Sequence, residues 1–200
     1  MTRPVPYYSQ WESRHLVADF ISGAQSSLDD PRWADSGASS IEEYALWARH
    51  MCGMACVKML LCARTGVAHP TIRLLERALR YGAYVMEDGG IRGMIYAPAT
   101  QMLRQEFGVE SEVITHIQAN DIEQLLGPGE FFIASVHPII RWLDREPPLK
   151  GGHLVLVTGA SDGTLTFHNP SGDTPESQEN VVMQARDFDR YFAGRGILVR

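Results

Sequence analysis

The sequence predicts an α+β fold in which a helical first half packs on an antiparallel β-sheet formed by the second half. Two observations carry that reading. Up to about residue 129 the apolar residues recur at helical spacing, whereas from 131 onward they gather in short β-rich runs bounded by turn residues. No internal repeat, low-complexity segment or linker interrupts the 200 residues, so they are read as one domain, 1–200. A chain of that length can bury enough apolar surface to hold its fold without metal or disulfide staples.

PVPYYSQW (4–11) reads as a short extended segment, followed by helical patterns over about 12–27 and 39–50 with the turn-rich DDPRWADSG between them. Ser39 or Ser40 ahead of Glu42 and Glu43 suits a helix start, since a hydroxyl caps free N–H groups and acids complement the dipole. CGMACVKMLLCAR (52–64) is apolar nearly all round, the pattern of a central buried helix, and Thr65-Gly66 ends it. HPTIRLLERALRYG (69–82) is amphipathic, with Pro70 fitted to its first turn and Gly82 to its end. A loop, MEDGGIRG, leads to a helix at about 96–107, a short strand ESEVI and a short helix in DIEQLLGPG (121–129). The β-rich runs are FFIASVHP (131–138), HLVLVTGA (153–160), TLTFHNP (164–170) and GILVR (196–200). SDG joins two of them as a hairpin turn, and RDFDRYFAG (186–194) reads as a short helix between strands.

The formal charge of −6 argues against a nucleic-acid or anionic-membrane surface, either of which favours a basic excess. The longest apolar run, Cys56 to Ala63, is interrupted by Lys58 and is far too short to span a bilayer, so no membrane insertion is expected. MTRPVPYYSQ holds one Arg and no apolar core of a signal peptide, which makes a cytoplasmic location the expectation. Cys52, Cys56 and Cys62 crowd into one stretch, unlike a disulfide framework that staples distant loops. Cys56 and Cys62 read as packing residues on a helix face.

Cys52 stands apart because it opens the buried helix. Free N–H groups and the positive dipole end favour a thiolate there, and the same N–H groups can hold an oxyanion. Gly53 lets a substrate carbonyl approach the backbone. GGHLVLVTG sets His153 at the first residue of a strand, behind two glycines that clear space before it. Asn169 ends the next run in FHNPSG, and the SDG hairpin would bring the two together. A side-chain amide there can take one imidazole nitrogen and aim the other at sulfur.

The combination VPYYSQW, CGMAC, GGHLVLVTG and FHNPSG resembles the bacteriocin-processing (double-glycine leader) cysteine peptidases and their stand-alone relatives, members of the papain-like superfamily. The resemblance runs over nearly the whole chain and implies a papain-like cysteine hydrolase fold. It also implies Cys52 as nucleophile, His153 as base, Asn169 as the residue that orients the base, and Gln10 of YYSQW in the oxyanion hole. No metal or organic cofactor is implied, and the partner is a peptide or amide substrate. The expected chemistry is thiol acyl transfer from a Cys52–His153 thiolate–imidazolium pair, with Cys52 alkylated before Cys56 and Cys62 at mildly acidic pH. Release to water makes a peptidase or amidase. Release to an amine would make an acyltransferase or amide-forming enzyme of a peptide or natural-product pathway. A non-catalytic binding module on the same fold is the third reading.

The other histidines carry weaker signals. His137 and His168 lack metal-ligand spacing, and His50 reads as a packing or solvated residue. GGIRG (89–93) lacks the strand-to-helix setting of a phosphate loop and reads as a loop beside the site. Trp11, Trp33 and Trp47 read as packing residues, and Trp142 as a candidate groove residue near the His153 loop.

Overall fold

A computed structural model describes residues 4–87 and 90–200. Its helical half comprises α1 (Val17–Ser22), α2 (Ile41–Ala48), α3 (Cys52–Thr65), α4 (Thr71–Tyr81) and α5 (Tyr96–Phe107), with a hairpin of β1 (Tyr84–Glu87) and β2 (Gly90–Gly93) between the last two. The sheet half comprises β3 (Ser111–Thr115), α6 (Asp121–Leu125), β4 (Phe131–Val136), β5 (His153–Ser161), β6 (Thr164–His168), α7 (Pro175–Gln178), β7 (Val181–Gln184), α8 (Ala185–Phe188) and β8 (Phe192–Val199). Strand order across the sheet is β3-β8-β4-β5-β6-β7, antiparallel at every pairing. The expected α+β architecture is therefore present.

The central strands β4 and β5 are buried on both faces, which explains why FFIASV and HLVLV read as continuous apolar runs instead of alternating ones. Ile133, Leu154, Leu156 and Ile197 pack against α3, α4 and α5 through Met54, Val57, Leu61, Leu75 and Leu103. Phe132, Val155, Val157 and Leu198 face the other way, into a second core with Phe167, Phe188 and Phe192. The SDG turn behaves as its residues require: Asp162 and Gly163 have φ of 51° and 71°, the positive pair that a two-residue hairpin turn needs.

Local chemistry sets the helix ends. The Ser40 hydroxyl accepts from the Glu43 N–H at the start of α2, and Gly66 and Gly82 close α3 and α4 at φ of 78° and 76°. The segment expected as one helix over 12–27 is instead a 3₁₀ turn, Arg14–Leu16, then α1, stopped by Gly23 at φ 80°, then a second 3₁₀ turn, Ser27–Asp29. MEDGGIRG is not a plain loop: Tyr84 pairs Gly93 and Met86 pairs Ile91 in the β1–β2 hairpin. Of the GGIRG reading, Gly89 lies outside the described residues, as do Asp88 and residues 1–3. β7 is a strand that sequence pattern missed. It is a four-residue strand at the sheet edge, VVMQ, and with Val182 exposed its apolar residues do not alternate with polar ones.

Lys58, the one buried charge of α3, explains how the N-terminal segment is held. Its Nζ lies 3.5 Å from Glu12 Oε2 and 3.2 Å from Thr71 Oγ1, and the Thr71 hydroxyl donates to Glu12 Oε1 at 2.8 Å. The Lys58 and Glu12 side chains are 7% and 9% exposed. The Tyr44 hydroxyl accepts from the Glu12 N–H at 2.9 Å and donates to Asp30. Glu12→Ala would leave Lys58 buried without its partner, a loss on the order of 3–5 kcal/mol. The urea midpoint should fall accordingly, and Lys58→Met in the same chain should recover most of the loss.

Candidate active site

The first turn of α3 meets the beginning of β5, which brings Cys52 and His153 to one cleft. Cys52 is half-buried and His153 buried, and both line one cleft of about 340 Å³ between the helical half and the sheet. The Cys52 sulfur lies against the backbone N–H groups of Leu154, Gly53 and Cys52 itself, so it is held both by its own helix and by the strand that carries His153. Gly53 is required for that approach. A Cβ there would sit 2.9 Å from Tyr84 Oη, 3.0 Å from Met94 Cβ and 3.1 Å from Leu154 Cδ1.

Asn169 lies one residue past the end of β6 and is 1% exposed. Its Oδ1 is 2.8 Å from His153 Nε2 and accepts the Ser171 backbone N–H at 3.1 Å. A backbone N–H can only donate, so that bond fixes which end of the amide is the oxygen. It follows that Nε2 carries the proton and donates to Asn169, leaving the lone pair on Nδ1. The turn itself is clamped: the Asn169 N–H donates to Gln178 O at 2.7 Å, and Gln178 Nε2 donates to Gly172 O at 3.0 Å.

Gln10 also reaches this region. Its backbone N–H donates to Pro170 O at 2.9 Å, the neighbouring Ser9 hydroxyl donates to the same carbonyl at 3.1 Å, and the Tyr7 hydroxyl donates to Asn169 O at 3.0 Å. Gln10 is buried, and its amide nitrogen donates to Ala48 O at 3.1 Å, at the end of α2 just before Cys52. An amide nitrogen has two N–H groups, so that bond uses one of them.

Two residues that sequence reasoning did not select complete the surroundings of the imidazole. Ser171 Oγ lies 3.0 Å from His153 Nε2 and accepts from Arg141 Nη2 at 2.7 Å. The Asn-Pro-Ser spacing, in which an Asn side chain accepts a backbone N–H two residues on, was the available signal for Ser171. Arg141 had none, because it comes from a separate 3₁₀ turn, Pro138–Arg141. Trp142 donates to Asp173 Oδ2 at 2.6 Å and is absent from the cleft lining.

The remaining candidates have structural uses. His168 accepts the Asn180 N–H on Nδ1 and so donates to Val5 O from Nε2, each at 3.0 Å. His137 Nδ1 accepts the Ile139 N–H at 3.2 Å and caps the 3₁₀ turn. His50 lies outside the cleft lining, in the turn before α3. Cys56 is fully buried, and Cys62 contacts the Tyr8 hydroxyl at 3.6 Å.

No protein-family model matches the chain, and no curated protein matches it by sequence. Solved structures do. The peptidase domain of Streptococcus ComA, a bifunctional ABC transporter involved in quorum sensing, matches with a TM-score of 0.51 at 17% identity, covering 76% of this chain and 91% of that domain. A Bacillus anthracis protein described as a C39-like peptidase matches with a TM-score of 0.51 at 12% identity, covering 75% of this chain and 88% of its own. The fold is that of the papain-like C39 peptidases. Among the described residues no helix is long and apolar enough to cross a membrane.

Burial opposes the expected thiolate–imidazolium pair. Burial pushes the Cys52 thiol up, against the backbone N–H groups and the Arg141 cation, which pull it down. Burial first, then the Arg141 charge, lowers His153 to about 3, with the Asn169 bond opposing. Both directions favour a neutral thiol beside a neutral imidazole, with desolvation opposing the dipole and N–H groups of α3. Cys52 alkylation by iodoacetamide should therefore climb with pH through the alkaline range, without an acidic plateau. An unfolded chain protonates His153 near its ordinary 6.5 while the folded one does not until about 3. Stability from this group is complete above the upper value and is lost as pH falls between the two. His153→Gln should flatten that acid limb in urea midpoints measured against pH.

Proposed function

We propose that this protein is a cysteine peptidase or amidase that cleaves a peptide or amide substrate through a thioester on Cys52. The observation that supports this most is the 2.8 Å His153–Asn169 bond with its tautomer set, beside a cysteine that opens a buried helix. A His153 ring held through Nε2 has Nδ1 available as a base for the thiol.

In the proposed sequence, the Cys52 S–H proton passes to Nδ1 as sulfur bonds to the substrate carbonyl carbon. The oxyanion is held by the Cys52 backbone N–H and the second N–H of Gln10. The imidazolium then protonates the leaving nitrogen, the C–N bond breaks, and the acyl group remains on sulfur. Water gives a proton to Nδ1 and attacks the thioester. The C–S bond breaks, the acid departs and the thiol regains its proton. A neutral resting pair suits this order, because the proton moves as the carbon–sulfur bond forms.

Cys52→Ala should abolish covalent acylation, and Asn169→Ala should slow it by freeing the imidazole ring. Gln10→Ala should lower kcat on the order of 10²-fold with little change in KM, since the oxyanion exists only in the transition state. Mass spectrometry of a trapped acyl-enzyme checks the assignment. An adduct on Cys56 or Cys62 would refute it.

A further inference from the structure

The cleft has an electrostatic character that the rest of the chain lacks. The whole protein carries 24 acidic and 18 basic side chains. Yet among the described residues the lining of the Cys52–His153 cleft contains two arginines, Arg92 and Arg195, and no carboxylate. The two come from different strands, β2 and β8. Arg92 lies on β2, paired with Val85, and leads through Gly93 to Met94, the residue packed against Gly53 beside the nucleophile. Arg195 lies on β8 in register with Thr115, and its Nη2 is 3.4 Å from where a Cβ on Gly151 would lie, two residues before His153. One cation thus flanks the nucleophile and the other flanks the base.

Among the described residues neither guanidinium is committed elsewhere. Both side chains are exposed, and among the described residues neither makes an ion pair, whereas Arg77, Arg80, Arg104, Arg190 and Arg200 each pair with a glutamate. Behind the site, Arg141 is bound by Ser171 and the Pro138 carbonyl and not by a carboxylate, adding a third positive charge to the same region. A cleft lined by one sign of charge with apolar walls focuses its field on whatever enters. A guanidinium fork also matches a carboxylate in both charge and geometry.

We propose that Arg92 and Arg195 select substrates that carry a carboxylate beside the scissile bond, either an acidic side chain or the free end of a peptide. The proposal rests on Cys52 being the nucleophile of this cleft. It gives the site a substrate class: anionic peptides or amides, and not neutral or basic ones.

The test uses two small alkylating agents that differ only in charge. On the intact protein at mildly alkaline pH, the Cys52 rate with iodoacetate divided by that with iodoacetamide is compared with the same ratio for 2-mercaptoethanol. The Cys52 ratio should be higher on the order of 10-fold, the low end of electrostatic focusing. It should fall with added salt as the charges are screened. Arg92→Gln and Arg195→Gln should each lower the ratio, the double variant should bring it to the mercaptoethanol value, and Arg→Lys should retain most of it. A ratio equal to that of the free thiol, or one unmoved by both substitutions in folded protein, overturns the selectivity. Failure of iodoacetamide to reach Cys52 ahead of Cys56 and Cys62 instead overturns the nucleophile assignment itself. Protection of Cys52 by tetra-alanine acid, its C-terminal amide, and the amide with one Ala replaced by Asp separates the two carboxylate sources. Protection by the acid alone identifies a chain terminus, and by the Asp peptide alone a side chain. Equal weakness of all three overturns the proposal.

Discussion

The contact between the first turn of α3 and the beginning of β5 is the constraint on which the site depends. It joins the two halves of the fold at the point where Cys52 and the Leu154 N–H meet. The close approach is possible because residue 53 has no side chain, with Tyr84, Met94 and Leu154 all within about one atomic contact of the missing Cβ. Overpacking of a closed site typically costs about 1–3 kcal/mol, and here the same displacement would also shift Cys52 against β5. Packing and chemistry are therefore coupled through one glycine.

The second element of the arrangement is the N-terminal segment, which ties the helical half to the turn after β6. Tyr7, Ser9 and Gln10 bond to the carbonyls of Asn169 and Pro170, while Glu12 is fixed to Lys58 of α3 and Thr71 of α4. The buried ion pair gains little net stability over an apolar substitute, but it specifies one register for this segment. That register delivers the Gln10 amide to the end of α2, one turn ahead of Cys52. The Gln10 amide thus lies two residues from a buried salt bridge.

Desolvation and local charge act in opposite senses on the site. Burial favours the uncharged thiol and imidazole, yet Arg141 lies close enough to lower both groups, favouring thiolate and opposing imidazolium. The same positive field that opposes protonation of His153 favours anions in the cleft, where Arg92 and Arg195 add to it. An arriving carboxylate would partly cancel that field and ease formation of the imidazolium. Substrate charge and base strength are linked by that electrostatics.

The sequence alone determined the α+β class, the buried helix opened by Cys52, and the position of His153 at a strand start. These are local properties: an apolar run, a Cys-Gly at a helix start, two glycines before a β-rich segment and an Asp-Gly hairpin turn. The helix over 96–107 was legible for the same reason, since it coincides with α5, Tyr96–Phe107. The β1–β2 hairpin and β7 were not, because two glycines in the one and an exposed edge in the other erase the apolar alternation that marks a strand. Only the tertiary structure decided that Ser171 and Arg141 surround the imidazole, that Gln10 spends one N–H on Ala48, and that Arg92 and Arg195 line the same cleft. It also showed that burial opposes the charged pair that the helix dipole favours. Charge state and cross-cleft pairing depend on dielectric and distance between residues far apart in the chain, and neither quantity is encoded in any local stretch of it.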